Sequence, residues 1–357
     1  MKFLLRGAFA LLTAITCGAQ AETEILTIYT YSSFVSDWGP GPAVKKAFER
    51  DCKCELDFVG LEDGAALLSR LQREGHRSKA DIVLGLDTNL MTEAAATGLL
   101  APHNLNIDKL NLSIDWTDDI FLPYDYGHFA FVYDSEALAV VPDSLEALVQ
   151  DTGGPWLIIQ DPRTSTPCLG LVLWMRAVFG DNAPLAWSQL APRILTVTKG
   201  WSEAYGLFLE GEAPLVLSYT TSPAYHRHVE NTDRYRAASF SEGHYAQIEV
   251  AAKLAHSPHQ ALADRFLVFM LSPAFQDLIP TTNWMFPAGA TRQPLPDAFA
   301  GLVKPTRTLL IEPAQVAAHR RAWVREWLEV LGRCPASFTQ SPASRGRVVS
   351  ARWCYCC

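Results

Sequence analysis

Several loops of this sequence carry side chains with chemistry to offer. Gln160 to Leu171, QDPRTSTPCLGL, leaves an apolar run and enters a helix-like one. Thr166 is placed to be the N-cap and Pro167 the first helical residue. The hydroxyls of Ser165 and Thr166, beside the free N–H groups of a helix start, suit either a plain cap or a bound anion. Val216 to His226, VLSYTTSPAYH, reads as a buried strand that breaks at Tyr219. It then presents Thr220, Thr221, Ser222 and, past a proline, Tyr225. Trp201 follows Gly200 in TKGWSEAYGLF, with Ser202 in a capping position. Trp284 lies in TNWMFP, and Tyr31 and Trp38 lie in YSSFVSDWGPGP. Each of these rings reads equally as a stacking surface or as partly buried core. Asp63, at the head of the helix-like DGAALLSRL, adds a carboxylate beside Gly64.

A ligand matched to such a set is flat, aromatic and cationic, with a hydroxyl or phosphate end. An aromatic face attracts a cation by roughly 0.5–2 kcal/mol. A carboxylate pairs with the positive end or accepts hydrogen bonds from an amino group. Catalytic patterns are missing: the chain has no G-x-S-x-G elbow, no H-E-x-x-H and no phosphate-binding P-loop. His226 and His228 share a helix-like segment and read as solvent-facing rather than as metal ligands. Tyr219 and Tyr225 are not adjacent, so they lack the tyrosine pair of many ferric-iron binders.

The elements that must position these loops follow from periodicity. EILTIYTYSSF, CELDFVG and ADIVLGLD read as strands, separated by helix-like GPGPAVKKAFERD and EDGAALLSRLQREG. TNLMTEAAATGLL is the next helix. This alternation predicts an α/β, doubly wound parallel sheet over residues 25 to 100, with ligand sites at the carboxyl ends of its strands. Tyr31, Asp63 and Asp87 fall at or just beyond such ends. FLPYDYGHFAFVYDSEAL is an extended aromatic stretch that reads as a crossover into a second lobe. That lobe repeats the pattern: a helix at Ser144 to Gln150, strand WLIIQD, a helix from Cys168 to Phe179, strand RILTVT, a helix from Ser202 to Leu209, and strand PLVLSY. YAQIEVAAKLA reads as the return crossover. PHQALADRFLVFMLSPAFQDLIP is helical, and AQVAAHRRAWVREWLEVLGR is a final amphipathic helix.

Composition bounds the rest. The chain has 357 residues, 49% apolar and 19% charged, a globular balance long enough for two lobes. Residues 1–21 read as a secretory signal, with Lys2, Arg6, an apolar run and Ala19-Gln20-Ala21 before the cleavage point. No later stretch is apolar enough to span a bilayer, so a signal without an anchor points to the periplasm, or otherwise to secretion, without stable membrane insertion. Without residues 1–21 the chain holds 28 basic and 38 acidic residues, which argues against nucleic acid and anionic lipid. Eight cysteines include Cys17 in the leader and four beyond Arg333. The C-x-C pair Cys52 and Cys54 admits a tight bridge or two thiols, and Cys168 reads as a small buried apolar residue.

The motifs YTYSSFVSDWGPGPAVKKAFE, LEDGAALLSRL, SKADIVLGLD, QDPRTSTPCLGL, TVTKGWSEAYGLFLEGE, LVLSYTTSPAYH, FSEGHYAQIEVAA and IPTTNWMFP together resemble the periplasmic thiamine-binding proteins of thiamine ABC transporters. The resemblance runs from about residue 24 to Arg333. It implies a type II periplasmic binding fold: two α/β lobes joined by crossover strands, with a ligand cleft between them. Its expected divisions are 22–125 for the first part of lobe 1, 126–240 for lobe 2, 241–285 for the return segment and 286–333 for a C-terminal helical segment packed on the lobes. A disordered tail is expected at 334–357. The implied ligands are thiamine, thiamine monophosphate and thiamine diphosphate. The implied partner is an inner-membrane ABC permease with its ATPase, served by a monomer without cofactor or metal. Asp63, Gly64, Ser165, Thr166, Trp201 and Tyr219 to Ser222 are the implied ligand contacts, with Tyr31, Trp38, Tyr225 and Trp284 as further pocket aromatics. Cys168 stands where the family pattern leads one to expect glycine. The competing expectations are another small cation on the same fold, such as a polyamine or a metal, and a secreted thiaminase-type enzyme using Cys168.

Overall fold

The computed structural model describes residues 23–333, apart from 109 and 113. The expected signal segment and tail lie outside the described residues. The strands are β1 (Ile25–Tyr31), β2 (Glu55–Leu61), β3 (Ile82–Asp87), β4 (Leu100–Ala101), β5 (Leu122–Asp134), β6 (Leu157–Gln160), β7 (Ile194–Thr198), β8 (Leu215–Tyr219), β9 (Tyr235–Ala237), β10 (His244–Leu254), β11 (Phe286–Pro287) and β12 (Thr308–Leu309). Their principal order is β2-β1-β3-β10-β5-β8-β6-β7. At one end, β1 pairs in parallel with β2 and β3; at the other, β6 pairs in parallel with β7 and β8. The parallel pairing expected over residues 25 to 100 holds for β1, β2 and β3, and antiparallel β10 and β5, the two expected crossovers, join the two ends.

Strand β5 is the main bridge. Its first half, Leu122 to His128, pairs with β10, and its second half, Phe129 to Tyr133, pairs with β8. One continuous extended strand therefore belongs to both lobes, and β10 runs back beside it. The apolar stretch FAFV supplies the crossing, and Phe129 and Phe131 are both buried. Helix Thr166–Phe179 is buried through its first ten residues, as its near-uniform apolar sequence requires. Phe129 packs directly over Gly170, where any side chain would collide with the ring.

The helix-like run after Ser257 divides. It forms Gln260–Leu271, Pro273–Gln276 and Ile279–Thr282, each of the latter two opened by a proline at its start. The final helix, Pro313–Arg333, packs on helices of both lobes. Arg320 and Arg321 pair with Glu93 in the first lobe. Glu326 pairs with Arg176 in the second, and Trp327 meets Trp187 edge-on. Cys52 and Cys54 form a disulfide, with Lys53 in the left-handed region between them (φ 58°).

Candidate functional site

A cavity of about 280 Å³ lies between the lobes. Its wall takes Tyr31, Trp38, Asp63 and Gly64 from one lobe and Thr166, Trp201, Tyr219, Thr221, Ser222 and Tyr225 from the other, with Trp284 from the segment after β10. Among the described residues, two carboxylates, Asp63 and Glu249, and no lysine, arginine or histidine line it.

The aromatic wall is a graded stack. Trp201 lies on Tyr205 with ring centroids 4.9 Å apart and planes 24° from parallel. Trp38 approaches Trp201 at 6.1 Å and is 52% exposed, which places it at the mouth. The indole Nε1 of Trp201 donates to Ser218 Oγ at 2.8 Å, and Ser218 Oγ lies 2.7 Å from Ser222 Oγ. Those bonds fix the plane of Trp201 while leaving one face to the cavity. Opposite, Tyr225 meets Trp284 edge-on at 5.4 Å. Trp284 holds φ at 56°, unusual for a bulky residue, and its N–H donates to Ile279 O at 3.0 Å to end the short helix. Tyr31 passes over Gly85, which has φ 105° and no side chain to block the ring.

Asp63 is the N-cap residue of helix Gly64–Glu74, as its position before the apolar run predicts, yet its side chain makes no capping bond there. It reaches across the cleft instead. Its Oδ2 accepts from the N–H of Trp201 at 3.2 Å, filling the N-terminus of helix Trp201–Leu209, whose own cap is Gly200. Ser202, expected to cap that helix, lies one residue inside it. Burial pushes the Asp63 carboxyl up to about 7, against lowering by nearby Ser165 and by the Trp201 N–H. Thr166 plays a matching part. Thr166, expected as the N-cap before Pro167, is instead the first helical residue with Ser165 as the N-cap, and its Oγ1 accepts from Gly64 N–H of the other lobe at 3.0 Å.

Two expected contacts lie elsewhere. Ser165 is fully buried behind the wall, and its Oγ makes no hydrogen bond of ordinary length. Thr220 is 1% exposed and turned inward, its N–H donating to His128 O at 2.9 Å. The serines and threonines that do line the cavity are Ser33, Thr166, Ser202, Thr221 and Ser222. His226, expected at the surface, is buried between Tyr205 OH (2.9 Å) and Glu230 Oε2 (2.7 Å). Cys168 is fully buried and absent from the cavity wall, and burial pushes its thiol well up, so it offers no thiolate. Among the described residues no cluster is arranged to hold a metal ion.

Sequence reasoning missed the floor of the cavity. Glu249 and Gln247 on β10, Asp125 and Tyr124 on β5, and Asn283 form one hydrogen-bonded group. Glu249 Oε2 accepts from Tyr31 OH and Tyr124 OH, each at 3.0 Å, and Oε1 accepts from Gln247 Nε2 at 3.0 Å. Tyr219 OH donates to Gln247 Oε1 at 3.1 Å, which ties the second lobe's tyrosine to the same group. Burial raises both Glu249 and Asp125; Glu249 raises Asp125 further, whereas hydrogen bonds from Asp125, Tyr124, Tyr31 and Asn283 pull Glu249 back down. The signal was present in YAQIEVAAKLA: Gln247 and Glu249 share one face within the otherwise apolar run from Ala246 to Ala252.

Crossover strands, an interlobe cavity and facing hydroxyls and rings define a two-lobed solute-binding protein. Comparison with known proteins sharpens this. The family model described as bacterial extracellular solute-binding protein matches residues 40–277. The thiamine-binding periplasmic protein of Brucella abortus biovar 1 (strain 9-941) is 56% identical over 334 residues, covering 93% of this chain and 100% of its own. That of Escherichia coli (strain K12) is 56% identical over 330 residues, covering 92% and 100%. A solved periplasmic thiamin binding protein superposes with a TM-score of 0.85 at 55% identity, covering 93% of this chain and 100% of that one. The chain belongs to the bacterial extracellular solute-binding protein family and, within it, groups with the thiamine-binding periplasmic proteins. It is a periplasmic transport component rather than an enzyme.

Proposed function

We propose that this protein captures thiamine, thiamine monophosphate and thiamine diphosphate in the periplasm and hands them to an inner-membrane ABC permease driven by its ATPase. The observation that carries the reading is the cavity itself: aromatic faces and two carboxylates without a single basic side chain, in a chain 56% identical to thiamine-binding relatives along their whole length. A flat thiazolium–pyrimidine pair suits rings on both walls, and its positive charge suits the acids. Phosphate forms draw on the serine and threonine residues of the wall and on backbone N–H groups at the start of helix Thr166–Phe179, since Asp63 already occupies the start of helix Trp201–Leu209. Ligand that touches both lobes stabilises the closed arrangement, and the closed form is the one that docks.

Calorimetry with the three ligands tests this. One-to-one binding of all three, with neither product nor turnover, is the expected result. A protein that binds polyamines or a metal in preference to thiamine would overturn the reading.

A further inference from the structure

The cavity floor carries an arrangement that the aromatic wall does not explain. Glu249 faces Asp87 of β3 on one side and Asp125 of β5 on the other, residue opposite residue in the ladder. Three acids thus stand in a row across three adjacent strands, where like charges directly opposite each other repel. All three are buried, at 0% exposure for Asp87 and Asp125 and 7% for Glu249. Only Glu249 reaches the cavity.

Their hydrogen bonds tell them apart. Asp87 is turned aside, its two oxygens accepting from Asn89 N (3.0 Å) and Asn89 Nδ2 (2.8 Å). Asp125 Oδ2 accepts from Asn283 Nδ2 at 2.6 Å, but its Oδ1 is buried with no donor at all. An oxygen so placed beside a second carboxyl is the one that carries a proton. Glu249 has the opposite setting: Tyr31, Tyr124 and Gln247 all donate to it, and Asn283 Nδ2 stands 3.5 Å away. Neutral donors gathered on one carboxylate stabilise its ionised form without cancelling its charge. Tyr219 of β8 and Asp63 at the wall complete the titratable groups around it, and none is a cation.

We propose that Glu249 is the fixed counter-ion that selects a cationic heterocycle, while Asp125 beside it stays a neutral carboxylic acid. Asp63 has a different place: its carboxyl accepts from the Trp201 N–H at the seam between the lobes. Glu249 and Asp125 lie on β10 and β5, the two strands that join the lobes.

This inference rests on the thiamine reading, and its test separates the two. The probes are thiamine and its neutral isostere, in which a thiophene replaces the thiazolium ring. Wild-type protein should prefer thiamine by at least about tenfold. Glu249→Gln should bring that ratio to about one, and Asp125→Asn should leave it in place. Binding of both probes with equal affinity by the wild type would overturn the counter-ion without any variant. So would a Glu249→Gln protein that keeps the preference, or an Asp125→Asn protein that loses it. Failure of the wild type to bind either probe would instead strike the thiamine reading.

Discussion

The carboxylate of Asp63, from one lobe, caps the helix that begins at Trp201 in the other, across 3.2 Å. A helix N-terminus with a glycine cap has N–H groups to spare, and a carboxylate there is stabilising by about 0.3–1 kcal/mol. The same contact buries Asp63 to 6% exposure, which opposes its ionisation. Closing the cleft is therefore tied to the charge of one side chain.

The sign of the pH dependence follows. In the closed form the Asp63 carboxyl titrates at about 7, above its ordinary 3.8. An acid with a raised value favours the closed state fully at low pH, and that contribution is lost as pH rises through about 7. Empty protein should be more closed at pH 5 than at pH 8, read as a smaller radius of gyration in X-ray scattering. Asp63→Asn should flatten the difference; a variant that still tracks pH as the wild type does would show that another group governs closure.

Gly64 should tolerate no side chain. A Cβ there would collide with Gly85 O and Thr166 Oγ1, the latter on the opposite lobe. Gly64→Ala is expected to hold the lobes apart and weaken thiamine at least about tenfold, or ~1.4 kcal/mol. Its melting temperature should fall as well, since the Gly85 carbonyl it meets is backbone of the same lobe.

Trp201→Ala removes the ring stacked on Tyr205 while keeping the N–H that Asp63 accepts from. Calorimetry should show at least about tenfold weaker thiamine binding. Unchanged affinity would take the indole out of the ligand's surroundings.

Phosphate recognition separates two serines. Ser202 is a residue of the cavity wall and Ser165 lies buried behind it, and the Oγ of each is buried without a hydrogen-bond partner. Ser202→Ala is expected to weaken both phosphate esters more than thiamine, by roughly 0.5–1.5 kcal/mol for a lost hydrogen bond. Ser165→Ala should shift all three ligands alike. The reverse pattern would move the phosphate end toward Ser165.

Much of this was written locally. Strand and helix periods, the turn after Tyr219 and the aromatic loops could be read in order, because each depends on a few neighbouring residues. Ser165 and Thr220 looked like their neighbours in the string but turn inward, since which way a hydroxyl points depends on the backbone packed behind it. The buried setting of His226 was hidden for the same reason: Tyr205 and Glu230 reach it from residues that spacing alone does not bring near.

By itself, the sequence determined a two-lobed α/β chain with rings, hydroxyls and Asp63 on the loops that flank a cleft, because hydrophobic period and turn chemistry act over short distances. Tertiary structure alone decided the cavity floor. Asp87, Glu249 and Asp125 are far apart along the chain and meet only when β10 settles between β3 and β5. That register places three acids side by side, and burial together with the donors each one finds then sets which keeps its charge.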